Sequence, residues 1–312
     1  MELRHIRYFL AVAEEGNFTR AAARVGIGQP PLSLQIRDLE TEIGAQLFHR
    51  VPHGAELTEA GRAFLEVARL IPVSAADAVR AAQRAARGET GQLTLGFTGT
   101  AALNPIVPAS IRAFRRRFPD VEMKLEETNS VALIGGLLDG RLDLAILRPA
   151  ASDPHEIVVR QLAEEPLLAV LPASHPAAQG AGDLDLAALA HDPLILTPRS
   201  LGVSLHDSAL QACRAAGFEP LLGQPAPQIA SILSLVSAEL GFSLLPASIG
   251  QLNVNGVAYR RIGAPSPRVS LVAAYRRAMP PKLATNFAAI ARTTARQMLQ
   301  NPPRSPASVS GR

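Results

Sequence analysis

The chain has 312 residues, 47% of them hydrophobic and 19% charged, with a formal net charge of +4. Its length suggests about two domains, and the composition is globular rather than disordered. No uninterrupted apolar run approaches the roughly 20 residues that span a bilayer. The single cysteine, Cys213, excludes an internal disulfide and any multi-cysteine metal site within one chain. It lies in a helical pattern, LHDSALQACRAAG, and reads as a small core residue.

The opening MELRHIRYF lacks the apolar core of a signal peptide, so a cytoplasmic location with no membrane partner is expected. Leu3, Ile6, Leu10 and Ala13 recur at three to four and predict a first helix ending near Gly16. Asn17 then suits the N-cap of a second helix. Gly26 supplies the turn that follows it. A third helix opens at Gly28-Gln29-Pro30-Pro31, where proline costs little because the first amides are unpaired anyway. It buries a stripe of Leu32, Ile36, Leu39 and Ile43. The other side presents Gln29, Ser33, Gln35, Arg37 and Asp38, the polar edge that a helix-turn-helix pushes into the major groove. Residues 44–58 read as a β-hairpin turning at Pro52-His53-Gly54. Its tip could bring Arg50 and His53 to phosphates. Total charge gives this assignment no support, because residues 1–90 hold eleven arginines and eleven acidic residues.

From Thr58 a long helix is predicted to run to about Arg87. Phe64, Ala68, Ile71, Ala75, Ala78, Ala82 and Ala85 form a seam of coiled-coil spacing. Pro72 is expected to kink it in mid-course. Gly88-Glu89-Thr90-Gly91 is a linker. Strands are then predicted over 92–98, 121–127 and 142–147, with helices over 101–118 and 131–138, the alternation of a parallel sheet with crossover helices. A comparable set follows, with strands at 167–171, 194–197 and 242–245 and helices at 205–216 and 229–239. Segments 257–262 and 269–276 and a last helix over 283–299 complete the pattern. The Pro/Ser-rich tail, 301–312, is expected to be disordered.

The motifs NFTRAA, GQPPLSLQIRDLE, EIGAQLFHR and LTEAG, in that order, resemble the LysR-type transcriptional regulators, a family of winged helix-turn-helix DNA-binding proteins. The resemblance is close over the first 65 or so residues and looser beyond. It implies DNA contact by Gln29, Pro30, Ser33 and Gln35 and a wing contact by Arg50. Where the family commonly has a basic residue after the serine, this chain has Leu34. The two α/β lobes likewise resemble the family's effector domain, itself similar to periplasmic binding proteins. The implied fold is α/β with a helix-rich winged helix-turn-helix at the N-terminus and a two-lobed effector domain. The boundaries are 1–58 for DNA binding, 59–89 for a dimerising linker helix and 90–300 for the effector domain. Within the last, lobe I takes 90–163 and 266–300 and lobe II takes 164–265.

Ligands of such folds sit beyond the carboxyl ends of strands, where helix N-termini suit an anion. The turns Thr98-Gly99-Thr100 and Thr128-Asn129-Ser130 qualify, with Thr197, Arg199 and Ser204 closing from the second lobe. Helix capping is the competing role for each hydroxyl. Arg148 and Arg199 could each pair with a ligand carboxylate, against a lobe-surface or salt-bridge role. MELRHIRYFLAVAEEGNFTRAA and LVSAELGFSLLPAS are most similar to the muconate- and benzoate-responsive members. That similarity implies an aromatic acid or its ring-cleavage dicarboxylate as effector, held at Thr100 and Ser130. Ala163 stands where benzoate-responsive members have an arginine for a second site.

No HExxH, P-loop, GxSxG or GxGxxG pattern is present, so neither catalysis nor a cofactor is expected. The partners implied by the family are promoter DNA, a small-molecule effector, further copies of the chain in a dimer of dimers, and RNA polymerase. A solute-binding protein that uses the lobes alone is the alternative.

Overall fold

The computed structural model describes residues 1–52 and 54–300; His53 and the tail lie outside the described residues. By backbone contacts the chain divides into two units, Met1–Ala86 and Arg87–Arg312.

The first unit begins with three helices, α1 (Leu3–Glu15), α2 (Phe18–Val25) and α3 (Gln29–Ile43). The Asn17 side chain accepts from the amides of Thr19 at 2.9 Å and Arg20 at 3.1 Å, capping α2. Gly26 ends it at φ 73°, a left-handed conformation that glycine adopts without a Cβ clash. The buried face of α1 is Ile6, Phe9 and Val12; of the predicted stripe, Ile6 belongs to it, Leu10 and Ala13 pack partly buried beside it, and Leu3 is exposed. Phe9 decides this rotation. It packs edge-on against Phe64 at 4.9 Å and against Phe48 at 5.2 Å, and a buried phenylalanine contributes roughly 1.5–3 kcal/mol.

After α3, β1 (Phe48–Val51) and β2 (Gly54–Leu57) pair antiparallel as the expected hairpin. Glu40 of α3 holds its base by accepting from the amides of Leu47 at 2.8 Å and Phe48 at 3.1 Å. Two further helices follow, α4 (Glu59–Ala68) and α5 (Ile71–Ala86). Gly61 must be glycine because a Cβ there would lie 2.1 Å from the Leu47 carbonyl oxygen. The predicted single long helix is broken at Arg69–Leu70. Pro72 is therefore not a mid-helix kink. It occupies the first turn of α5, where its missing amide hydrogen leaves no bond unmade. Ala68 of the predicted seam is buried and Ile71 packs against this unit's own core, whereas α5 buries no residue.

The second unit opens with β3 (Gly91–Phe97), α6 (Gly99–Ala102), α7 (Ile106–Arg117), β4 (Val121–Glu127), α8 (Ser130–Leu138) and β5 (Leu144–Leu147). The predicted helix over 101–118 is split at Asn104, whose side chain accepts from the Ile106 amide at 3.0 Å beside Pro105. Next come β6 (Ile157–Pro172), β7 (Pro193–Leu194), α9 (Val203–Ala215), β8 (Leu221–Leu222) and α10 (Ile229–Ser237). The unit closes with β9 (Ser243–Pro246), β10 (Val257–Arg261), β11 (Arg268–Arg276) and α11 (Lys282–Gln300).

Only part of the sheet is parallel. β3 lies between β4 and β5, parallel to both, whereas β11 is antiparallel to β5 and to the first part of β6. Beyond Pro166, β6 continues as Leu167–Pro172 and pairs antiparallel with β9 and β10. One strand thus belongs to both lobes. Side chains alternate across the sheets: Leu144 and Ile146 enter one core layer, Ala145 and Leu147 the other. Likewise Leu167, Ala169 and Leu171 face one layer of the second lobe and Val170 the opposite one. Among the described residues no helix is long and apolar enough to cross a membrane.

Candidate functional site

Helix α3 is the first candidate surface. Gln29, Pro30 and Arg37 are exposed, and Gln35 is half-buried. At 100° per residue, Gln35 and Arg37 lie on opposite flanks, so the predicted polar set is not one face. Pro30, Leu34 and Arg37, at spacings of four and three, share the outward side, and Leu34 is 54% exposed. Ser33 departs from its expected exposure. It borders the stripe of Leu32, Ile36 and Leu39, is only 9% exposed, and accepts a 2.8 Å hydrogen bond from the Gln29 amide nitrogen. Gln29 therefore covers the serine. Gln35 points its amide at Asp38, 3.5 Å away. On the wing, the exposed Arg50 guanidinium stacks over Phe18, 5.1 Å from the ring centroid, which steadies a cation at the hairpin.

The second candidate is a cleft of about 1230 Å³ within the second unit. Its first wall is the carboxyl edge of β3, β4 and β5, with Thr98, Gly99, Thr100, Thr128 and Ser130 all lining it. Thr197 and Ser204 line it from the other lobe; Arg199 does not. Arg199 instead forms a two-pronged pair with Asp207 on the exposed surface, Nε to Oδ1 at 2.8 Å and Nη2 to Oδ2 at 2.9 Å. Its partner sits eight residues on, at the same end of α9, and captures it. Helix capping also occupies this edge, by one hydroxyl and one side-chain amide. Thr98 Oγ1 accepts from the Ala101 amide at 3.3 Å, and Asn129 caps α8 directly before Ser130.

Arg148 is the residue that sequence reasoning undervalued. It is only 2% exposed, yet it lines the cleft. Its Nη2 donates to Glu165 at 2.8 Å and its Nε to Thr100 Oγ1 at 3.4 Å, while Nη1 is buried with no hydrogen-bond partner among the described residues. Thr100 Oγ1 lies 3.3 Å from Thr98 Oγ1, so cation and hydroxyls form one chain of contacts. Burial lowers the Arg148 guanidinium from its ordinary value, opposed by the charge of Glu165. For Glu165, burial pushes the carboxyl up, but the charge of Arg148 and the hydrogen bonds from Ser248 and Arg148 outweigh it. The carboxyl is held below the usual carboxylate range. A buried donor without a partner has lost its hydration, and an anion in the cleft would restore the missing bond. The only sequence signal for this was a lone arginine at a strand's carboxyl end.

Two family profiles match the chain. One described as "Bacterial regulatory helix-turn-helix protein, lysR family" covers residues 3–62. One described as "LysR substrate binding domain" covers residues 86–296. The uncharacterized HTH-type transcriptional regulator YnfL of Escherichia coli is 41% identical over 82% of this chain and 85% of its own. The HTH-type transcriptional regulator AlsR of Bacillus subtilis is 35% identical over 89% of this chain and 91% of its own. The crystal structure of full-length CbnR complexed with its target DNA superposes with a TM-score of 0.76 at 30% identity, covering 95% of this chain and all of that one.

Proposed function

The chain belongs to the LysR family of helix-turn-helix transcriptional regulators, and on that premise we propose that it couples promoter binding through α3 to a small carboxylic acid held in the cleft. The exposed amino-terminal side of α3, with Gln29 and Pro30 at its start and Arg37 one turn beyond Ser33, supports its role as the groove reader. Arg50 supports a phosphate contact from the wing. The observation that carries the effector reading is the buried, unpartnered Nη1 of Arg148 beside Thr98 and Thr100.

Small carboxylic acids include aromatic acids and their ring-cleavage dicarboxylates, the expectation from sequence. Among the described residues Arg148 is the one cation lining the cleft, which supports a single carboxylate at this wall. Transmission to DNA is a matter of linkage: the effector shifts the protein only by binding two arrangements unequally. Glu165 supports a route for this, because it stands on β6 where that strand passes between lobes. It accepts from Asn104 Nδ2 at 3.2 Å on one side and from the Ser248 amide at 2.5 Å on the other. The proposal includes a cytoplasmic location, contact with RNA polymerase and assembly as a dimer of dimers. The α5 face of Ala75, Ala78 and Ala82, none of it buried, supports that assembly.

Two measurements test the proposal. In gel-shift titrations on the DNA flanking the gene, Gln29→Ala should weaken operator binding by about 1–3 kcal/mol and leave random DNA unaffected. Equal loss on both would remove the base-reading role. In calorimetry against a panel of carboxylic acids, Thr100→Val should weaken whichever acid binds; an unchanged dissociation constant would move the effector elsewhere.

A further inference from the structure

The cleft wall carries its charge at two ends. β5, β3 and β4 are adjacent and parallel, so their carboxyl ends form one edge. Along it stand Arg148 just past β5, the Thr98 and Thr100 hydroxyls past β3, and Glu127 at the end of β4. Two strand spacings put the Arg148 and Glu127 backbones about 10 Å apart. Among the described residues, Glu127 is the one acidic residue lining the cleft and Arg148 the one basic residue. Glu127 also leans over the β3 turn. A Cβ placed on Gly99 would lie 2.9 Å from its Oε1, so glycine leaves the space this carboxylate occupies. Among the described residues Glu127 makes no ion pair; Arg141, nearby in the chain, is taken by Glu126 instead.

We infer that the effector is an amino-bearing carboxylic acid, its carboxylate on Arg148 and Thr100 and its ammonium on Glu127. This rests on the cleft reading above and narrows it. An ordinary dicarboxylate would set its second anion against Glu127 with no cation to offset it, and a simple monoacid would leave Glu127 without a partner. A zwitterion matches both ends, because each charge meets its opposite: its carboxylate the buried Arg148, its ammonium the exposed carboxylate of Glu127.

The test compares norleucine, 6-aminohexanoate, hexanoate and adipate, which share a six-carbon skeleton, by calorimetry on the full-length protein. At least one of the two amino acids should bind about three-fold more tightly than hexanoate or adipate, the effect of a charge pair to an exposed carboxylate. Glu127→Gln should erase that preference while leaving hexanoate affinity within about two-fold. Glu127→Lys should reverse it in favour of adipate. Hexanoate or adipate binding as tightly as both amino acids, or no measurable binding of either amino acid at millimolar concentration, overturns the inference. Thr100→Val separates the two levels. If it weakens every acid while Glu127→Gln leaves the ratios unchanged, the cleft stands and only the zwitterion falls. If Thr100→Val changes nothing, the cleft reading itself fails.

Discussion

Arg148 and Glu165 form an ion pair of 2.8 Å between side chains only 2% and 8% exposed, and this pair joins the cleft to the strand shared by both lobes. Desolvating two charges is costly, so such a pair is weak evidence of net stabilisation, but breaking it leaves a charge stranded. Glu165→Ala should cost about 3–5 kcal/mol in the unfolding of the second unit, and Glu165→Gln less, since its amide oxygen still accepts. The carboxyl is held below its ordinary value, so the stability it contributes is complete above the unfolded-state value and is lost as pH falls through the lowered one. The deficit of Glu165→Gln should therefore stay constant from neutral pH down to about pH 4 and shrink only below that. Denaturant titrations at several pH values would read this. A deficit that fades already between pH 7 and 5 would contradict the lowered carboxyl.

Leu34 stands exposed on the outward side of α3 between Pro30 and Arg37. Leu34→Arg should bring one more phosphate within reach, raising DNA affinity at low salt and steepening the slope of log affinity against log salt by about one unit. Thermal stability should hardly change, because the leucine is not part of the core. An unchanged salt slope in gel-shift or anisotropy titrations would place Leu34 off the DNA.

Pro72 occupies the first turn of α5, not the middle of a continuous helix. Pro72→Ala should then alter stability by no more than about 0.5 kcal/mol. Relief of a true mid-helix kink would instead stabilise by up to about 3 kcal/mol. A melting curve distinguishes these outcomes.

Cys213 is fully buried among Ala209, Ala212 and Phe242, and burial pushes its thiol up to about 11. The reactive thiolate is thus scarce at neutral pH and shielded as well. Native protein should resist alkylation at pH 8 and take up one equivalent only in denaturant. Labelling of the folded protein at the rate of a free thiol would show that α9 opens.

What the sequence determined by itself is local. The Asn17 cap, the Gly26 turn, the Leu32–Ile36–Leu39 stripe and the hairpin after it are each set by residues within a few positions of one another. Helical and strand periods report such neighbours directly. The turns at Thr98–Thr100 and Thr128–Ser130 were legible for the same reason, being short polar junctions between a strand and a helix. Tertiary structure decided the rest. Phe9 turned α1 because its partners, Phe48 and Phe64, lie far along the chain. Residues 157–166 became the first half of a strand shared by both lobes although Arg160, Glu164 and Glu165 interrupt any hydrophobic alternation there. Gln29 folded over Ser33, and Arg199 was taken by Asp207. Most of all, Arg148 became the charged centre of the cleft through Glu165, 17 residues onward, and Thr100, 48 residues back. A buried charge is defined by what surrounds it in space, and no period along the chain carries that information.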